Sequence, residues 1–240
     1  MFEELIENPL FIISLVVIFV FLVGMIIAGS AHRIFYKIKD ELMNVESSLN
    51  AQAYQVLAFG IDKFKQRTQL FLAGDKVEDC YDYVNDRIIL KPEIFYGTSI
   101  GALAIASHEF GHSQQRYNNS IFFAICYFLQ KLNRFFSGLF LPLVLLGTIV
   151  WIIPFELNII GKVMIYVGLG ALAITILMKL FLIPLEFGAS RNGKKFLKKH
   201  VGIKGKELRQ VKRLLRAAGF TYIASLFEGP YRVFRYIFGR

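Results

Sequence analysis

The sequence predicts a mainly α-helical integral membrane protein with about three transmembrane helices and a cytoplasmic α+β region. Three observations support this fold class. The chain of 240 residues is 55% hydrophobic and contains long apolar runs. Its net charge of +10 is concentrated toward the C-terminal end. A His-Glu-x-x-His pattern, typical of a helix, lies in the segment before the second apolar run.

The apolar runs predict three membrane spans. Residues 9–31 contain no charge, and at a rise of ~1.5 Å per residue this helix reaches ~35 Å, enough to cross a bilayer. Residues 135–155 are also uncharged. The third run is less uniform because Lys162 and Lys179 flank its apolar centre, but lysines can extend toward the interface. We therefore predict a third span over 157–185.

The charges that flank the spans predict the orientation. Acidic side chains precede the first span, whereas Arg33, Lys37 and Lys39 follow it. Residues 186–240 hold 14 Lys and Arg against 3 acidic residues. Because basic loops stay on the cytoplasmic side, the N-terminus is expected outside and residues 32–119 and 186–240 inside.

The same features predict the compartment and exclude one class of partner. The first apolar run lacks a basic leading segment and a small-residue cleavage site, so we interpret it as a retained anchor rather than a signal peptide. The basic tail carries no nucleic-acid-binding motif, and beside membrane spans it favours contact with anionic lipid. We expect a multi-pass protein of a prokaryotic plasma membrane, organised as a single domain over residues 1–240.

Local patterns predict the elements of the cytoplasmic region. A helix is expected over 48–66 with Ser48 or Asn50 as its N-cap. Short strands are expected within 69–91, and the stretch "VNDR" suggests a hairpin. A second helix begins near Thr98 or Ser99 and carries the His-Glu-x-x-His pattern.

The C-terminal segment is harder to assign. Residues 214–227 are apolar but short, and they include Arg216. We favour a helix that lies at the interface or packs on the spans over a fourth crossing.

His108, Glu109 and His112 carry the strongest chemical signal. Residues four apart share one face of a helix, so the two imidazoles can bind one Zn²⁺. Glu109 can then act as general base toward a water that the metal has made acidic. With 4 His in the chain, chance gives this spacing about 0.003 times. The alternative interpretation is a buried helix with two structural histidines and a carboxylate partner.

A catalytic zinc site needs a third protein ligand and one open position. Glu186 is the preferred third ligand, because the predicted hairpin of spans two and three brings its segment near the His pair. His32 and His200 are the other histidines and remain alternatives. Glu186 could instead be a helix-end carboxylate paired with Arg191 or a lysine.

The stretch "YDYVNDRIILKPEIFYGTSIGALAIASHEFGHSQQ", followed by paired spans and "PLEFGAS", resembles the YugP-like membrane neutral zinc metallopeptidase family. The layout is also similar to that of the HtpX-type membrane proteases. The resemblance implies that His108, His112 and Glu186 bind zinc and that Glu109 is catalytic. It covers most of the chain, including the tail "LLRAAGFTYIASL".

The chain departs from the family pattern beside the third ligand. The family sequence there is Glu-Phe-Asp-Ala-Ser, whereas Gly188 replaces the Asp here. Ser190 is a candidate to orient a ligand in its place. Arg191, Tyr222 and Tyr231 are candidates to donate a hydrogen bond to the transition state.

Together these observations predict a membrane-embedded zinc-dependent metalloendopeptidase of the gluzincin type that acts at the cytoplasmic face. Its partners would be the lipid bilayer and peptide or membrane-protein substrates. A second hypothesis is a zinc-stabilised membrane scaffold or adaptor with little or no proteolytic activity, motivated by the change at Gly188. The sequence leaves the substrate and the oligomeric state open.

Overall fold

The computed structural model describes residues 8–74, 77–118, 120–152 and 158–225. Within these ranges the chain forms seven α-helices, one π-helical turn and three strands. In chain order they are α1 (Pro9–Met43), α2 (Ala53–Lys63), β1 (Gln69–Leu72), β2 (Cys80–Asp82), β3 (Arg87–Leu90), α3 (Pro92–Phe95), α4 (Ile100–Asn118), α5 (Ser120–Ile152), α6 (Asn158–Phe196), the π-turn (Leu197–Val201) and α7 (Gly205–Ala224). This mainly helical architecture with a small sheet confirms the predicted fold class.

Three helices are long and apolar enough to cross a membrane, and each contains most or all of one predicted span. They are α1, α5 and α6, with 35, 33 and 39 residues. At ~1.5 Å per residue, each exceeds the ~30 Å hydrocarbon thickness. Helix α1 continues past its apolar run to Met43, and α6 continues past its apolar run to Phe196. No proline follows either predicted span within these helices, so no residue there forces the helix to end.

The chain divides into two compact units. Among the described residues, the first contains 8–30, 128–152, 158–182 and 223–225 and is built from apolar helix surfaces. Small residues allow close packing there, because a Cβ built on Gly147 would lie 2.8 Å from the Gly161 carbonyl oxygen. Aromatic contacts fill the remaining space, as between Phe21 and Phe140, whose ring centroids are 4.4 Å apart.

The second unit contains residues 31–127 and 183–222 and includes the sheet. The strand order is β1-β3-β2, with β1 parallel and β2 antiparallel to β3. Ile88 and Leu90 of the central strand are fully buried. They join a core formed with Leu103 and Phe110 of α4, so α4 lies inside this unit rather than on its surface.

The predicted hairpin is confirmed, and the predicted start of the preceding helix is wrong. The Asp82 carboxylate accepts hydrogen bonds from the backbone N–H groups of Val84 and Asn85 and closes the β2–β3 turn. Helix α2 begins at Ala53 rather than near Ser48. Ser48 cannot cap it, because its backbone N–H and hydroxyl both donate to the Glu207 carboxylate, at 2.9 and 3.0 Å.

The apolar tail is part of a longer amphipathic helix. Helix α7 begins at Gly205 and buries Val211, Leu214 and Leu215 in the core of the second unit. Among the described residues, α7 is not one of the helices able to span a membrane. The predicted tail helix therefore exists over part of 214–227, and residues 226 and 227 lie outside the described ranges.

Candidate metal centre

The His-Glu-x-x-His segment lies in the middle of a buried helix. Helix α4 starts after Ser99, whose Oγ accepts a hydrogen bond from the Ala102 backbone N–H at 3.1 Å, as an N-cap does. The following residues are mostly small and apolar, and Gly101 to Ala104 are all buried. Small side chains allow neighbouring elements to approach α4 closely, which makes the helix a rigid support for functional groups.

Three predicted ligands converge at one point. The imidazole Nε2 atoms of His108 and His112 lie 3.4 and 3.6 Å from the same Glu186 oxygen. One nitrogen or oxygen from each residue lies within 4.8 Å of the other two. Among the described residues, these three form the group of His, Cys, Asp or Glu side chains that could hold a metal ion. We call His108, His112 and Glu186 the metal group.

The spacing and chemistry of these atoms fit a zinc ion. Two ligand atoms bound to tetrahedral zinc at ~2.0–2.1 Å are about 3.4 Å apart. The observed separations of 3.4 and 3.6 Å match that value and exceed an ordinary hydrogen bond. Burial disfavours the charged imidazole, but the facing Glu186 carboxylate outweighs this and raises the pKa of His112 to about 9. A metal ion would therefore displace a proton on binding.

Each histidine is oriented through its other ring nitrogen. His108 Nδ1 lies 3.1 Å from the Ser190 hydroxyl oxygen. His112 Nδ1 lies 3.0 Å from the Gln115 side-chain oxygen. The Gln115 amide nitrogen in turn donates to the Leu185 carbonyl oxygen at 2.7 Å, which orients the amide so that its oxygen accepts from the imidazole N–H. Both Nε2 atoms are thereby left to face Glu186.

Gln115 contacts one of the candidate metal ligands, and the sequence analysis missed it. A Cβ built on Gly188 would lie 2.5 Å from the Gln115 side-chain nitrogen. Gln115 thus occupies the space beside the position where the family pattern has an aspartate. The available signal was its spacing, because Gln115 is three residues after His112 and therefore on the same helix face.

Two glycines bring α4 and α6 into direct backbone contact. A Cβ on Gly111 would lie 2.2 Å from the Ala189 carbonyl oxygen. A Cβ on Gly193 would lie 2.2 Å from the Ser107 carbonyl oxygen. Neither position has room for a side chain, and the close approach places Glu186 of α6 against the His pair of α4.

Glu109 lies beside the metal group and borders an open cavity. Its side chain is buried, and burial raises the pKa of its carboxyl group although the two histidines oppose this. Glu109 and His108 both line a cavity of about 220 Å³. A carboxylate with a raised pKa is suited to exchange protons with a group that enters the cavity.

The other candidate residues have different environments. Tyr222 is half-buried, and burial followed by the Glu186 carboxylate raises the pKa of its phenol, so it stays protonated. Arg191 is exposed, and Tyr231 lies outside the described residues. His32 stacks near Tyr36, and His200 packs edge-on to Phe64, so neither belongs to the metal group.

A polar cluster fixes the end of α4 that follows the motif. The Asp86 carboxylate accepts hydrogen bonds from Thr68, Tyr81 and Tyr117 at 2.7–2.8 Å and pairs with Arg116 at 2.9 Å. Thr68 also contacts the hydroxyl of Ser113, the residue after His112, at 2.7 Å. These bonds connect the β2–β3 turn to α4.

Comparison with known proteins identifies the family. Residues 12–239 match the sequence profile of a family described as "Putative neutral zinc metallopeptidase". The chain belongs to this zinc metallopeptidase family. The resemblance predicted from the sequence is confirmed, and a zinc cofactor follows from the family.

This chain is also similar to one curated protein. The "Putative membrane protease YugP" of Bacillus subtilis (strain 168) is 28% identical over 159 residues, which are 66% of this chain and 67% of that protein. No solved structure gives a significant match. The relative and the three apolar helices support a membrane protein.

The contact between α4 and α6 yields a first prediction. Gly111→Ala should lower the midpoint of thermal unfolding in detergent, because its Cβ would overlap the Ala189 carbonyl. Overpacking of this kind costs about 1–3 kcal/mol. Gly138→Ala is the matched control, since no atom lies within 4 Å of its added Cβ. An equal midpoint for Gly111→Ala and Gly138→Ala would contradict the close approach.

Proposed function

We propose that this protein is a membrane-embedded, zinc-dependent metalloendopeptidase with its active site at the cytoplasmic membrane face. The convergence of His108, His112 and Glu186 at zinc-ligand spacing carries the proposal. Family membership supports zinc and peptide hydrolysis. Two histidines with a downstream glutamate are the ligand set of gluzincin-type peptidases, which leaves one coordination position open for chemistry.

Each residue of the site has a distinct role in the proposed reaction. His108, His112 and Glu186 would hold the zinc ion. When bound, zinc supplies a Lewis acid and makes water acidic near neutral pH. Glu109 accepts the proton of the attacking water and delivers it to the leaving amine nitrogen. Its burial next to the ligands favours this role, because a raised pKa brings its proton affinity closer to neutral pH.

Contacts to the outer ring nitrogens of the two histidines keep these groups in their reactive orientation. Ser190 and Gln115 hold the histidine rings so that the Nε2 atoms face Glu186. Tyr222 is the better candidate for donating a hydrogen bond to the developing oxyanion, because it is half-buried and the raised pKa of its phenol keeps the donor proton in place. Arg191 is exposed and is the weaker candidate.

The cytoplasmic position of the site rests on charge distribution. Residues 186–240 carry 14 basic against 3 acidic residues, and the first eight residues contain three glutamates. The positive-inside rule then assigns residues 32–119 and 186–240 to the cytoplasm. A site at this position would act on membrane proteins or on peptides close to the bilayer.

The scaffold hypothesis was motivated by the missing aspartate at Gly188. Gln115 fills the adjacent space and orients His112, which weakens that motivation. The two hypotheses differ in one result: a scaffold would bind zinc without cleaving peptides.

Metal content tests the ligand set. Purified full-length protein should contain about one zinc per chain, and His112→Ala and Glu186→Ala should lose most of it, because two remaining ligands hold zinc weakly. His200→Ala and Glu41→Ala are matched controls, since His200 packs on phenylalanine rings and Glu41 forms a surface pair with Arg213. Zinc-free, folded wild type after zinc addition would refute the site.

The role of Glu109 is tested by Glu109→Gln. This variant should keep zinc but lose peptide cleavage by about 10²–10⁴-fold, because the amide cannot accept the proton from water. The assay follows a peptide library by mass spectrometry, with zinc measured on the same preparation. Cleavage at the wild-type rate would contradict the assignment of Glu109, and zinc without cleavage in wild type would favour the scaffold.

Sidedness is tested by labelling intact cells with a membrane-impermeant maleimide. Glu4→Cys and Lys206→Cys are made separately in a chain whose two cysteines, Cys80 and Cys126, are replaced by serine. Glu4→Cys should react in intact cells, whereas Lys206→Cys, exposed on α7, should react only after permeabilisation. The opposite pattern would invert the proposed topology.

A further inference from the structure

We propose that the cavity beside Glu109 receives the apolar side chain of a substrate residue next to the scissile bond, and so determines cleavage specificity. The inference rests on the proposed function, because it assigns a substrate subsite to the same centre. The occupant is a leucine-, methionine- or phenylalanine-like side chain of an extended peptide.

The position of the cavity connects it to the reacting groups. His108 and Glu109 form part of its wall. Any group that fills the cavity therefore contacts one proposed zinc ligand and the proposed general base. A peptide carbonyl held at the metal would have a neighbouring side chain within reach of this space.

The walls of the cavity favour an apolar occupant. The apolar lining residues include Ile105 of α4, Leu214, Leu215 and Ala218 of α7, and Phe35 of α1. The volume is about 220 Å³. Pockets for drug-sized ligands measure roughly 300–1,000 Å³, so this smaller cavity suits a single large side chain rather than a complete small molecule.

Three charged residues of the cavity wall other than Glu109 already have partners. Asp79 accepts a hydrogen bond from the Lys91 backbone N–H at 2.7 Å, and Glu78 pairs with the Lys91 ammonium at 2.5 Å. Lys39 lies 3.8 Å from a Glu93 oxygen. A charged substrate side chain would lose hydration and would have to compete for these groups, which disfavours it. The carboxylates of Glu78 and Asp79 disfavour an acidic substrate side chain in particular.

Ala218→Leu tests the subsite by filling it. Ala218 lies on the α7 wall, and leucine is nearly as good a helix former as alanine, so the helix is retained. Phe220→Leu is the matched control, because Phe220 is on the same helix but is exposed and outside the cavity lining. Both variants are made in the full-length chain and compared with wild type for zinc content and thermal unfolding.

The substrates are internally quenched peptides that differ at one position, which is Leu, Ala or Asp within a Gly- and Ser-rich background. Mass spectrometry locates each cut relative to the varied residue. Wild type and Phe220→Leu should cut next to Leu, with a kcat/KM about tenfold or more above that for Ala. Ala218→Leu should lose this preference while still cutting the Ala peptide. A preference unchanged in Ala218→Leu would overturn the subsite.

A binding measurement separates failure of the subsite from failure of the proposed function. Fluorescence polarisation follows the Leu and Ala peptides on Glu109→Gln protein, with and without Ala218→Leu. Absence of cleavage by wild type would count against the peptidase, whereas the cavity would still be supported by a binding preference for Leu that Ala218→Leu removes. Equal binding of both peptides to Glu109→Gln protein would overturn the subsite whether or not the protein is an enzyme.

Discussion

The close approach of α4 and α6 is the constraint on which the metal group depends. Gly111 and Gly193 each face a backbone carbonyl of the other helix, at distances that exclude any side chain. Glycine within a helix costs roughly 1 kcal/mol relative to alanine, so both positions sacrifice local helix stability for proximity. In return, the carboxylate of Glu186, more than 70 residues later in the chain than His112, lies next to the imidazoles of His108 and His112.

The metal group places polar side chains next to buried apolar residues. His112 and Glu109 are buried, next to the fully buried Phe110. Removing charged groups from water is unfavourable unless they are paired, and a buried ion pair rarely repays the whole cost. The arrangement is therefore better explained by metal binding than by stability. The contacts from Ser190 and Gln115 use the remaining ring nitrogens and fix the direction of the two proposed histidine ligands.

Helix α6 combines two properties that are usually separated. It is long and apolar enough to cross a membrane, and the same helix, which contains Pro184, carries Glu186, Ser190 and Gly193. Helix α7 contributes to both the core and the cavity. Its buried leucines belong to the core of the second unit, and its Ala218 lines the cavity beside Glu109. The proposed zinc ligands lie on α4 and α6, and the cavity walls include residues of α1, α4 and α7. Four helices therefore contribute, which explains why no short sequence motif contains all of these residues.

The sequence by itself determined the elements with strong local signals. Apolar runs predicted the three long helices, the "VNDR" turn predicted the hairpin, and the four-residue spacing of His108 and His112 placed both on one helix face. Glu186 could be favoured but not separated from His32 and His200 by spacing alone, and Gln115 and the cavity were missed. The start of α2 was also misjudged, because Ser48 bonds Glu207, a residue remote in sequence. Only the tertiary structure decided these points, because each depends on which distant segment supplies the facing atoms.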